Sequence, residues 1–168
     1  MVDEHSAVAR ARNMPISTKQ VIEISNFIRG KTVKRSKVLL QGVVDKKVAV
    51  PFKRFNMDTG HRRGRIAAGR FPQKSAKHVL QLLNTLEANA SNKGLDGDAL
   101  YIKAIIPNRA SRPQHFGRFL RRRMKRTHLE IIGEELVEKE AKETQKKDQP
   151  KAKKEEPKKQ DEKTENKQ

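Results

Sequence analysis

The chain has 168 residues, with 39 Lys and Arg against 20 Asp and Glu, a formal net charge of +19, and no cysteine. The missing thiols exclude disulfides and thiolate metal sites and fit a cytosolic setting. Met1-Val-Asp-Glu-His5 lacks a basic-then-apolar signal pattern, and no apolar run approaches membrane-spanning length. A soluble intracellular protein of one domain plus a tail is expected.

The charge divides unevenly. Residues 139–168 hold 11 Lys against 8 acids, a balance of +3, which leaves 28 Lys/Arg against 12 acids, or +16, in residues 1–138. Clustered cations of that density release condensed counterions when they bind phosphates, so nucleic acid is the favoured partner. A membrane is disfavoured, because the basic runs do not lie opposite a wide apolar helix face.

Ala7-Val-Ala-Arg-Ala-Arg12 alternates small or apolar residues with basic ones, as a short strand with one wet face would. Ser17-Thr-Lys-Gln20 reads as a capping box. It starts a helix carrying Val21, Ile24 and Ile28, which Gly30 ends at about Arg29. A second amphipathic segment runs from about Val33 to Val44, and Pro51 blocks its continuation. Residues 51–72 show no period and read as a long basic surface loop. Pro72 suits the first turn of a third helix, with Ala76, Val79, Leu80, Leu83, Leu86 and Ala90 on one face. Asp96-Gly97 turns into a strand at Ala99, and a hairpin over 99–134 follows. The expected domain is residues 1–137, α+β, with helices backing a small sheet. Residues 138–168 are Lys/Glu-rich with almost no apolar side chain and predict a disordered tail.

The stretch from Pro107 to Arg126 holds eight Lys or Arg and no acid, with Phe116, Phe119, Leu120 and Met124 interleaved. It joins two strand-like segments, Leu100–Ile106 and Thr127–Ile132. A linker that long inside a compact domain signals disorder or function, and its apolar residues argue for function. Each arm has about 17 residues, enough to extend on the order of 50 Å. The expected form is a β-ribbon ordered against folded RNA. Its candidate RNA contacts are Arg109, Arg112, His115, Phe116, Gly117, Arg118, Arg121, Arg122, Arg123, Lys125 and Arg126. Further candidates are Arg10, Arg12, Lys53, Arg54 and Lys74, with Arg62, Arg63, Arg65 and Arg70 of the glycine-containing loop. That loop lacks a Gly-Lys-Ser/Thr ending and a βαβ context, so nucleotide binding is rejected. The five histidines are scattered, no metal or cofactor is expected, and no acid/base or nucleophile constellation supports an enzyme.

Ile16-Ser-Thr-Lys19, Phe27-Ile-Arg-Gly-Lys31, Val50-Pro-Phe-Lys-Arg-Phe55 and Gly69-Arg-Phe-Pro-Gln-Lys-Ser-Ala76 resemble the universal large-subunit ribosomal protein twenty-two family. Gly94-Leu-Asp-Gly-Asp98 and Gly117-Arg118…Lys125-Arg-Thr127 add to the match, which spans about residues 6–135. The insertion at 56–71 resembles the archaeal or eukaryotic type. The resemblance implies three helices on a three-stranded antiparallel sheet, with a long hairpin running through large-subunit rRNA. It also implies neighbouring ribosomal proteins and the nascent polypeptide as partners. By position, Arg112–Arg118 would form the tip at the exit tunnel and Arg121–Arg126 the returning arm. Family tips commonly read Pro-Arg-Ala-x-Gly-Arg, whereas this chain has Pro113-Gln-His-Phe-Gly-Arg118. The competing class is a DNA-binding chromatin or transcription protein, disfavoured because no helix-turn-helix or zinc pattern is present.

Overall fold

The computed structural model describes residues 5–119 and 121–135. The expectation for 138–168 falls outside them. Strand β1 (Ser6–Met14) leads into helices α1 (Thr18–Ile28) and α2 (Val33–Val44). The short strands β2 (Val50–Pro51) and β3 (Gly69–Arg70) precede helix α3 (Gln73–Asn92). Strands β4 (Leu100–Arg109) and β5 (Thr127–Glu135) close the described chain. The main sheet is antiparallel in the order β1-β5-β4, and β2 pairs with β3 separately.

One sheet face carries the core. Ala7 and Ala9 of β1, Leu129 and Ile131 of β5, and Leu100, Ile102 and Ile105 of β4 are all buried. Ile102 and Ile105 are three residues apart, yet both point inward. A register shift between Ile102 and Ala104 inserts the extra residue that resets the two-residue alternation. Against this face lie the stripes the periodicity predicts: Val21, Ile24 and Ile28 of α1, Val33 and Leu40 of α2, and Val79, Leu83, Leu86 and Ala90 of α3. The close approach of α3 depends on Gly133, where a Cβ would sit 3.1 Å from Leu86 Cδ2 and 3.3 Å from Leu100 Cγ.

Both sheet edges are partly covered, which blunts edge-to-edge pairing. Lys93 Nζ and Asn89 Nδ2 of α3 donate to the carbonyls of Ser6 and Val8 on β1. On the other edge, Gly30 N–H donates to the Ile102 carbonyl and Ile102 N–H to that of Lys31. Gly30 has φ +71, the left-handed conformation that lets the chain leave α1 and turn onto this edge.

Three local expectations are corrected. The Ser17–Gln20 capping box does not form: Ser17 is the N-cap residue but makes no side-chain cap bond. Gln20 Oε1 instead accepts from Ser75 Oγ at 2.9 Å, joining the first turns of α1 and α3. A tertiary partner has replaced the local one. Residues 51–72 are also more than a loop, since β2–β3 pairing, a His61–Ala68 bridge and a Phe52 N–H bond to the Ala68 carbonyl fold them back on themselves. Pro72 stands one residue earlier than the first turn, at the N-cap of α3.

Candidate nucleic-acid interface

The hairpin changes character half-way. From Leu100–Glu135 to Arg109–Thr127 it is a continuous ladder interrupted by one bulge. Beyond Ala110, the last buried residue of the outgoing strand, no described side chain of the ribbon is buried. The pairing then loosens to the bond from Ala110 N–H to the Arg126 carbonyl, a Gln114–Arg123 bridge and bonds at His115–Arg122 and Met124–Pro113. Partner numbers shift by one residue between the two stretches. A strand pair stays regular while one face has a core to pack against, and the described residues of this ribbon provide none. Phe116 is 83% exposed, and Gly117 takes φ +75 to turn the chain at a short 3₁₀ segment, Gly117–Phe119.

The ribbon's root is fixed. Thr127, fully buried, donates its hydroxyl to the Ile16 carbonyl at 3.0 Å and lies 2.9 Å from the Thr18 hydroxyl. Arg126 donates Nη1–H to the Asn13 carbonyl at 3.2 Å, while its Nε is buried with no protein acceptor. A buried donor without a partner costs about 1–3 kcal/mol.

The basic loop of residues 51–72 is held near its start by a carboxylate. Glu23 of α1, 1% exposed, accepts the backbone N–H groups of Arg54 and Phe55 at 2.8 Å and of Lys53 at 3.2 Å. Three convergent donors satisfy the buried charge and hold Lys53 and Arg54 outward, both exposed. Further along, Arg62 donates to the Gly69 carbonyl at 3.1 Å and lies over the Phe71 ring, while Arg70 lies over Phe52 and reaches the carbonyls of Met57 and Asp58. These two arginines brace the loop. Arg63 and Arg65 are exposed.

Seven of the sequence-derived candidates come together. A cleft of about 460 Å³ lies between the returning ribbon and the first turns of α1 and α3, lined by Lys74, His115, Arg123, Lys125 and Arg126. A second hollow, of about 250 Å³, adjoins it at Ser17, Gln20 and Lys125 and continues to Arg54 and Arg70. Together they form one basic trough from ribbon to insertion loop, with no acid among the described residues lining it. Arg10 and Arg12 stand elsewhere, on the sheet face away from the core, where Arg10 Nε is ion-paired with Glu130 at 2.8 Å. Arg62, Arg63 and Arg65 border a separate groove with Phe27, Leu39 and Phe71. Lys53, Arg109, Arg112, Gly117, Arg118, Arg121 and Arg122 are exposed and line neither part of the trough.

The model of a family described as ribosomal protein L22p/L17e matches residues 9–134, a stretch that takes in the trough and the whole ribbon. This chain belongs to the L22p/L17e family. Relatives named large ribosomal subunit protein uL22 agree along most of the chain. That of Archaeoglobus fulgidus is 43% identical over 137 residues, covering 77% of this chain and 88% of the relative. Those of Methanopyrus kandleri and Nanoarchaeum equitans are 42% and 41% identical over 141 residues, each covering 79% of this chain and 89% and 80% of the relative. Membership makes the chain a structural constituent of the cytoplasmic ribosome and not an enzyme.

Within this L22p/L17e chain, two functional contributors escaped the sequence reading. Glu23 is the sole acid of α1, and its place between apolar positions was the available signal that it is buried and paired. Ser75, also buried, shows no such signal, because its partner Gln20 is 55 residues away.

Proposed function

We propose that this chain binds large-subunit rRNA, supports assembly of the large subunit, and lines the nascent-polypeptide exit tunnel with its ribbon. The observation that carries the reading is a basic trough, acid-free among the described residues, running into an arginine-rich ribbon none of whose described side chains beyond Ala110 is buried before Thr127. Such a surface neutralises phosphates and reads shape more than base sequence, so affinity should fall steeply with salt. The RNA-binding unit is residues 1–137. Phe116, held out in solvent, is available to stack on an unpaired base or to meet the passing peptide. Arg112–Arg118 form the tunnel-facing tip, beside a neighbouring ribosomal protein, and Arg121–Arg126 the RNA-bound return.

Replacing Arg121, Arg122 and Arg123 with Glu reverses three exposed charges and leaves the core intact. The expected result is a folded protein with rRNA affinity lowered by at least about a hundredfold. It should be absent from large subunits on a sucrose gradient. Normal incorporation of that variant would overturn the role of the arm. For the tip, a photo-crosslinking residue at Phe116 should label nascent chains in stalled ribosomes, and labelling of rRNA alone would remove the tunnel assignment.

A further inference from the structure

The cleft under the ribbon has a composition that the protein leaves unbalanced. Lys74 enters it from the first turn of α3, and Arg123, Lys125 and Arg126 enter from the returning ribbon strand. These cations come from segments about fifty residues apart, and no acid lines the cleft among the described residues. Like charges converge on one hollow only at a cost, unless an anion occupies it. Arg126 adds a second sign, since its Nε–H is buried against the protein without an acceptor. The helix starts beside the cleft add to this. Neither α1 nor α3 has a side-chain N-cap bond, and residues of both first turns, Gln20 and Ser75 among them, line the same hollow. Uncapped first-turn N–H groups and the positive end of the helix dipole favour an anion there. The Gln20–Ser75 hydrogen bond fixes the two helix starts relative to each other.

We propose that this cleft holds a phosphodiester of one rRNA strand, clasped between the helical body on one side and the returning ribbon on the other. The inference rests on the rRNA-binding reading and adds a specific site to it. Here a strand would be gripped from two sides, and the same contact would set the direction in which the ribbon leaves the body. The ligand group is a phosphate rather than a base, because the lining sets Lys74, Arg123, Lys125 and Arg126 beside the single imidazole ring of His115.

The test is phosphate-ethylation interference on a large-subunit rRNA transcript, using the full chain, a Lys74→Gln/Lys125→Gln variant and a control, Arg35→Gln/Lys77→Gln. All four residues are exposed, and the control pair lies outside the cleft. The cleft variant should bind about tenfold or more weakly, and the control less than about threefold. One or two adjacent phosphates whose ethylation blocks the unaltered chain should lose that effect with the cleft variant alone. Circular dichroism should show both variants folded, and Arg123→Gln alone should reproduce the lost interference if the double variant is not. An interference pattern identical for all proteins, with the unaltered chain still binding, would overturn the cleft site and leave the rRNA reading standing. Failure of the unaltered chain to bind the transcript would overturn both.

Discussion

The basic loop of residues 51–72 and the hairpin ribbon are both glycine-containing and rich in arginine, yet they are held in different ways. The loop is fastened by the protein: Glu23 takes three of its backbone donors, Arg62 and Arg70 reach its carbonyls, and two phenylalanine rings lie beneath those guanidinium groups. The ribbon beyond Ala110 is joined by a few cross-strand backbone bonds, with its root pinned at Thr127 and Arg126. Arginine content alone therefore does not measure RNA contact. An arginine whose fork is engaged by carbonyls and a ring contributes to the fold first, and one exposed on the ribbon can meet a polyanion.

The largest break in this contrast should come from Glu23→Ala. It leaves three inward-facing N–H groups without their charged acceptor and should cost about 3 kcal/mol in urea unfolding. A loss below about 1 kcal/mol would mean that the loop is not held by the carboxylate. Next, Thr127→Val keeps the side-chain shape but removes the hydroxyl that serves Ile16 and Thr18. About 1–2 kcal/mol should be lost, with faster amide exchange at Ala110 and Arg126 as the sign that the ribbon root has loosened. Arg62→Ala should cost about 1 kcal/mol, through the Gly69 carbonyl bond and the Phe71 contact. Its neighbour sharpens the point: Arg63→Ala should leave stability within about 0.5 kcal/mol while reducing the salt slope of rRNA binding by about one. Equal stability losses for Arg62 and Arg63 would erase the distinction between bracing and binding arginines.

Much of this architecture was legible because burial follows chain period. The stripe of α3, the alternation of β1 and the turn before β4 are local patterns, and the fold follows them closely, although in α3 Leu82 is buried and the expected Leu80 only partly so. The bulge near Lys103 is not periodic, so nothing in Leu100–Ile106 announced that Ile102 and Ile105 share a face. Ser17–Gln20 shows the limit from the other side. The motif was present, but Ser75 offered Gln20 a better-placed donor once α1 and α3 met.

The sequence by itself determined the three helices and the strands of the main sheet, the excess of positive charge and the arginine-rich segment between β4 and β5, because propensity, period and net charge are properties of neighbouring residues. Only the tertiary structure decided which cations share a surface. Lys74 and Lys125 line one cleft, Arg10 pairs with Glu130 on the far sheet face, and Arg62 turns inward to its own loop. Those outcomes depend on how distant segments pack, and a partner fifty or more residues away leaves no trace in local pattern.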